Sequence, residues 1–214
     1  SVARSDFSIT KPVVEKLVKS KQFTVSKIIS KTKYLDQENP VESDEVNKNN
    51  FLIKINLKND KPEQINLAIS NIIRNSSYIF YKFKPDLLIL TGDRYEMLSM
   101  AIASISGNLP IAHIHGGETS LGSFDEQSRH SITKLSHIHF PATKNAAKKI
   151  HQMGEPLRNI TLAGAPALDG FLSKKKSRKE SFSRLISKFK IDIKDEIILI
   201  TLHPVTIDFD NEMD

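Results

Sequence analysis

The sequence predicts an α/β fold built on a parallel sheet, and three observations carry that prediction. Apolar runs of strand length alternate with segments of helical spacing along most of the chain. The best of these runs, Asp86 to Thr91, is continuously apolar from Leu87 to Leu90, as in a buried parallel strand. Successive runs end in polar or glycine-bearing clusters: Gly92-Asp93-Arg94, then His115-Gly116-Gly117-Glu118, then Gly164-Ala165-Pro166.

The elements follow in order. Pro12 to Ser20 has helical spacing, with Val13, Val14, Leu17 and Val18 on one face. Lys31 to Asn50 is polar, carries five acids around Pro40, and reads as a loop. Phe51 to Leu57 alternates apolar and polar residues and predicts a short strand. Pro62 opens a helix in its first turn, where the missing amide hydrogen is harmless, and Ile65, Ile69, Ile72 and Ile73 form its inward stripe. After the Asp86–Thr91 strand, a helix turns Met97, Leu98, Ala101, Ile102 and Ile105 inward and stops at Gly107-Asn108. Pro110 to Ile114 is the next strand, Asp125 to Leu135 a helix, and Ser136 to Pro141 a third strand of this series. Thr143 caps a helix that runs to Met153 and ends at Gly154. Ile160 to Ala163 and Ile197 to Thr201 are further strands, the latter ending in Leu202-His203-Pro204.

Composition narrows the function classes. The net charge of +6 is concentrated in Lys174 to Lys190, which holds eight Lys/Arg and one Glu, so the remainder is close to neutral. A single basic run without the aromatic interleaving used to stack bases fits a solvated helix face better than a nucleic-acid surface. No apolar stretch is long enough to span a membrane, and Ser1 to Thr10 lacks the apolar centre of a signal peptide. The absence of cysteine excludes disulfides and thiol catalysis, and a cytoplasmic location is the expectation. No phosphate-binding P-loop, no GxGxxG and no GxSxG occurs.

The chemistry is concentrated between Gly92 and His139. Five of the seven histidines lie in the 27 residues from His113 to His139, with Glu118, Asp125, Glu126 and Arg129. In open parallel sheets ligands bind outside the carboxyl ends of the strands. That rule places Asp93, Glu118, Asp125 and His203 on one rim. Asp125 and Arg129 share a helix face, as do Glu126 and His130. Gly116-Gly117 permits positive φ and close approach of a ligand to the backbone. Asp93 and Glu96 have the spacing of a capping box, a structural role that is compatible with a functional one. The alternating pairs His113/His115 and His137/His139 lack a metal-site spacing, and no metal is expected.

The segments GDRYEML, PIAHIHGGETSLGSFDEQSRHSITKLSHIHFPATKNAAKKIHQMGE and TLHPVT closely resemble the hydrolysing UDP-N-acetylglucosamine 2-epimerases. VARSDF is similar to the loop that follows the first strand of that family. The resemblance implies two Rossmann-like domains in the GT-B arrangement, with residues 1–170 as the first domain, lacking its first strand. Residues 171–214 would form the crossover and a truncated start of the second. It implies a UDP-sugar substrate, no cofactor, and a homo-oligomer, dimer or tetramer, in the full-length protein. The implied reaction removes the C2 proton, expels UDP through a 2-acetamidoglucal and adds water, giving N-acetylmannosamine or a diamino analogue. Such chemistry needs acid/base groups on both faces of the sugar, and clustered carboxylates shift one another's pKa upward. By resemblance, Asp93, Glu118 and Asp125 form the acid/base set, Arg129 lies near the sugar, and His203 lies near the leaving diphosphate. Arg4 and Asp6 of the first loop, with His115, Gly116, Gly117 and Glu126, are expected substrate contacts; Lys11 matches only loosely. Two alternatives are a non-hydrolysing epimerase that releases UDP-N-acetylmannosamine and an inactive, truncated sugar-nucleotide-binding remnant.

Overall fold

The computed structural model describes residues 4–32, 50–55, 57–59, 61–173 and 186–188. Helix α1 spans Arg4–Ser20, strand β1 Lys27–Thr32, β2 Asn50–Ile55 and helix α2 Pro62–Phe83. There follow β3 (Leu88–Thr91), α3 (Tyr95–Ile105), β4 (Ile111–Ile114), α4 (Asp125–Leu135), β5 (Ile138–Phe140), α5 (Lys144–Gln152) and α6 (Pro166–Ser173). All strand pairing is parallel: β1 with β2, and β3 with β4 with β5. Residues 33–49, most of the basic run and the Ile197–Thr201 segment lie outside the described residues, as does His203.

The two sheets share one core. Ile53 and Ile55 of β2 join Ala68 and Ile72 of α2, Leu88 and Leu90 of β3, Met97, Met100 and Ala101 of α3, Ile111 of β4 and Ile132 of α4. β2 keeps the alternation read from its sequence: Ile53 and Ile55 are buried, whereas Leu52 and Lys54 are exposed. Asn71 of α2 ties the helix to this strand by donating to the Lys54 carbonyl at 2.9 Å.

Several elements depart from the sequence reading. α1 begins eight residues before Pro12, which sits inside the helix. β1 was not signalled by its hydropathy, because its two isoleucines are adjacent rather than alternating; it takes in Lys31 and Thr32, read as loop. β3 is less enclosed than a continuously apolar run suggests, since Ile89 is 39% exposed. In the same cross-strand row Ile138 is also exposed, whereas Ala112 between them is buried. In α3 the inward arc is Met97, Met100, Ala101 and Ser104, while Ile102 and Ile105 face outward. That arc follows helical spacing, and its small residues let α3 pack against both α2 and α4.

β4, α4 and α5 match expectation closely. Thr143 caps α5 by accepting the Ala146 amide at 3.1 Å, and Gly154 ends the turn beyond it with φ +95°. Ile160 to Ala163 lies alongside β5 in parallel, with Thr161 donating to the His139 carbonyl and Ala163 to that of Pro141, though only a single bridge forms. Because β3, β4 and β5 run in one direction, all their carboxyl ends open on one rim. The returns from helix to strand, such as residues 106–108 after α3, fall on the opposite rim. No helix among the described residues is long and apolar enough to cross a membrane.

Candidate active site

The carboxyl rim carries a cleft of about 210 Å³. Thr91 and Gly92 at the end of β3, then Asp93, form one wall; His115 and Glu118 after β4 form another; Arg129 of α4 and Ile9 of α1 complete it.

Arg129 is the centre of the cluster. Its guanidinium forms an ion pair with the Asp93 carboxylate and also donates to the Ser120 hydroxyl at 3.0 Å. Only 9% of the Arg129 side chain and 23% of that of Asp93 are exposed, so the pair is shielded from screening by solvent. Burial lowers the Arg129 pKa from its ordinary value, but a guanidinium stays protonated at any physiological pH. The sequence suggested Asp125 as the face-sharing neighbour of Arg129. Instead, Arg129 reaches across to the β3 loop, and Asp125 accepts the Ser123 hydroxyl at 2.9 Å. The capping box also does not form: the residue that precedes α3 is Arg94, without a side-chain cap, and Arg94 makes two hydrogen bonds to the buried Glu96.

β4 runs directly into His115, which adopts φ +63°. This left-handed conformation is uncommon for a residue other than glycine, and it turns the chain so that His115 lines the cleft. Burial pushes the His115 imidazole pKa down, while the negative charge of Glu118 opposes the shift. The Glu118 carboxylate accepts the Thr143 hydroxyl at 3.1 Å, placing it by the positive end of α5. Thr143 thus serves the helix and the site together. A Thr143→Ala substitution is expected to cost about 1 kcal/mol, a fall in melting temperature of roughly 2–4 °C, read by thermal denaturation.

Gly116 and Gly117 are tightly packed, and Gly117 adopts the positive φ that the sequence suggested. A Cβ on Gly116 would lie 2.7 Å from His113 Nδ1 and 3.0 Å from Thr133 Oγ1. One on Gly117, which has φ +79°, would lie 2.4 Å from the Ala146 carbonyl oxygen. The close approach they permit is to the protein's own β4 and α5. Neither glycine lines the cleft, and neither does Glu126, which accepts the Ser120 amide at 2.8 Å and faces His130 at 3.5 Å. Arg4 and Asp6 fall in the first turn of α1, their side chains lie outside the described part, and Lys11 faces Glu15 on the same helix. The carboxylates Asp93, Glu118 and Asp125 are each engaged by a different donor, Arg129, Thr143 and Ser123 in turn, rather than paired with one another as a cluster of mutually repelling acids would be. The sequence named Thr143 as the cap of α5 but gave it no place at the cleft, and it gave none to Ile9, Thr91 or Thr133. Thr133 carried a further signal, lying one turn beyond Arg129 on the same face.

The fold is that of an open parallel α/β protein, with a cleft lined by cationic and acidic side chains at the carboxyl rim of its sheet. The chain matches the family model described as UDP-N-acetylglucosamine 2-epimerase over residues 15–213, and it belongs to that family. It is 33% identical over 97% of its length to the UDP-N,N'-diacetylbacillosamine 2-epimerase (hydrolyzing) of Legionella pneumophila, of which it covers 55%. It is 35% identical over 74% of its length to the GDP/UDP-N,N'-diacetylbacillosamine 2-epimerase (hydrolyzing) of Campylobacter jejuni, of which it covers 41%. The chain therefore spans about half the length of these relatives. Among solved structures, the UDP-GlcNAc 2-epimerase of Neisseria meningitidis bound to UDP-GlcNAc superposes with a TM-score of 0.69 at 20% identity, covering 88% of this chain and 52% of that one. The shared fold is the Rossmann-like parallel architecture of GT-B epimerases.

Proposed function

We propose that the full-length protein is a hydrolysing nucleotide-sugar 2-epimerase, converting UDP-N-acetylglucosamine or a UDP-linked diacetamido sugar to UDP and the free mannosamine-type sugar. The observation that carries this reading is the convergence of Asp93, Glu118, His115 and Arg129 on one cleft. The names of the Legionella and Campylobacter relatives support the hydrolytic branch and the diacetamido substrate. The cleft volume of about 210 Å³ is below the roughly 300 Å³ at which sites for larger ligands begin. It suits the sugar ring, with the nucleotide held elsewhere in the longer chain.

In this reading a carboxylate of the set Asp93, Glu118 and Asp125 removes the C2 proton, and the C1–oxygen bond to UDP breaks, leaving the 2-acetamidoglucal. Water then supplies a hydroxyl to C1, and a proton reaches C2 on the opposite face. Arg129 pairs with Asp93 and offers positive charge beside the ring, with His203 assigned to the leaving diphosphate. The test is incubation of the full-length polypeptide with UDP-N-acetylglucosamine and, separately, with UDP-N,N'-diacetylbacillosamine, followed by phosphorus NMR. Free UDP with a reducing sugar is the expected result. An epimerised sugar still attached to UDP would overturn the hydrolytic reading and place the protein in the non-hydrolysing branch.

A further inference from the structure

His113 is fully buried on β4, does not line the cleft, and makes two hydrogen bonds that lead to it. Its Nε2 lies 2.8 Å from the Gly92 carbonyl oxygen. A carbonyl only accepts, so Nε2 carries the proton. Nδ1 faces the Thr133 hydroxyl at 3.2 Å, and that hydroxyl is also 3.0 Å from the carbonyl oxygen of Arg129. The hydroxyl has a single proton to share between the imidazole nitrogen and the carbonyl. Burial pushes the His113 pKa down to about 4, which keeps the ring neutral and the tautomer fixed near neutral pH.

The two carbonyls at the ends of this chain of contacts are not arbitrary. Gly92 immediately precedes Asp93 and has φ +81°, a conformation that nothing in its own side chain enforces. The second carbonyl belongs to Arg129 itself. One buried imidazole–hydroxyl pair therefore grips the backbones that carry both halves of the Asp93–Arg129 ion pair. Gly116 packs directly on this pair, at a distance that excludes any side chain.

Resting on the proposed function, we infer that His113 and Thr133 are positioning residues that set the Asp93–Arg129 geometry through the Gly92 and Arg129 carbonyls. Thr133 is the sharper probe, because valine keeps its shape while removing the hydroxyl, and serine keeps the hydroxyl. In the full-length protein, Thr133→Val is expected to lower kcat by roughly 10- to 100-fold, with a much smaller change in KM. Thr133→Ser is expected to recover most of the lost turnover. Thermal denaturation of both variants separates loss of fold from loss of placement. In histidine- and arginine-labelled protein, the nitrogen-15 shifts should show His113 as the Nε2–H tautomer, and the Arg129 side-chain resonances should move in Thr133→Val but not in Thr133→Ser. Unchanged turnover in Thr133→Val, or a serine variant as impaired as the valine one, would overturn the inference. If Asp93→Asn leaves turnover intact, the functional reading of the cleft fails instead. The Arg129 resonances then decide on the brace alone: shifts that stay put in Thr133→Val remove it.

Discussion

An Asp93→Asn substitution in the full-length protein is expected to lower turnover by about 10²–10⁴-fold, the range associated with losing a positioned acid/base group. Asparagine preserves the shape of the side chain and can still accept a hydrogen bond from Arg129. It cannot carry the charge or exchange a proton near neutral pH. The stability change should be far smaller than the kinetic one. Arg129 keeps its bond to the Ser120 hydroxyl, and the amide oxygen replaces a carboxylate oxygen, so a loss of about 1–2 kcal/mol is expected. Steady-state kinetics and urea denaturation of the same preparation check both parts. Turnover within a few-fold of the parent would remove Asp93 from the acid/base set.

The largest stability effect is expected at a residue with no side chain. Gly117→Ala places a methyl group 2.4 Å from the Ala146 carbonyl oxygen and 2.7 Å from Ile150 Cγ1, at φ +79°. Both neighbours belong to α5 and are buried, Ile150 completely. Neither can move without displacing the helix from the sheet. The left-handed conformation costs about 1–2 kcal/mol for an alanine, and forcing a packed interface apart adds about 1–3 kcal/mol. The expected total is about 3 kcal/mol or more, a large part of the 5–15 kcal/mol typical of a whole domain. Gly164→Ala is the control. It shares the backbone conformation, φ +78°, but an added Cβ there meets nothing within 4 Å. Equal denaturation midpoints for the two variants would show that the contact with α5 contributes nothing.

The residues that the sequence revealed and those it hid differ in kind. β4, α4 and α5 were legible because local signals agree: an apolar run, an acid-rich first turn, a threonine cap and a terminal glycine. The position of the cleft was legible because parallel strands deliver their carboxyl ends to one rim. The partner of Arg129 was not legible. Helical spacing favours Asp125, but the ion pair goes to Asp93, 36 residues away. That choice depends on the turn at Gly92, and the turn is held by contacts from two other elements. What packs on Gly116 and Gly117 was hidden for a similar reason. A paired glycine announces that something comes close, and only the packing of His113, Thr133 and α5 says what. β1 escaped notice because its adjacent isoleucines carry no period, and its pairing with β2 is set by tertiary contacts.

The separation of the two rims has a practical side. The chain contains no cysteine, so any thiol introduced is the only one. At Gly107, on the exposed return from α3 to β4, a new Cβ would meet nothing closer than the Ser104 carbonyl oxygen at 3.9 Å. Within these 214 residues, Gly107→Cys therefore offers a single attachment point for a spin label or fluorophore on the rim away from the cleft. From there, movements of this part of the fold on addition of a ligand can be followed by distance from a point remote from the cleft.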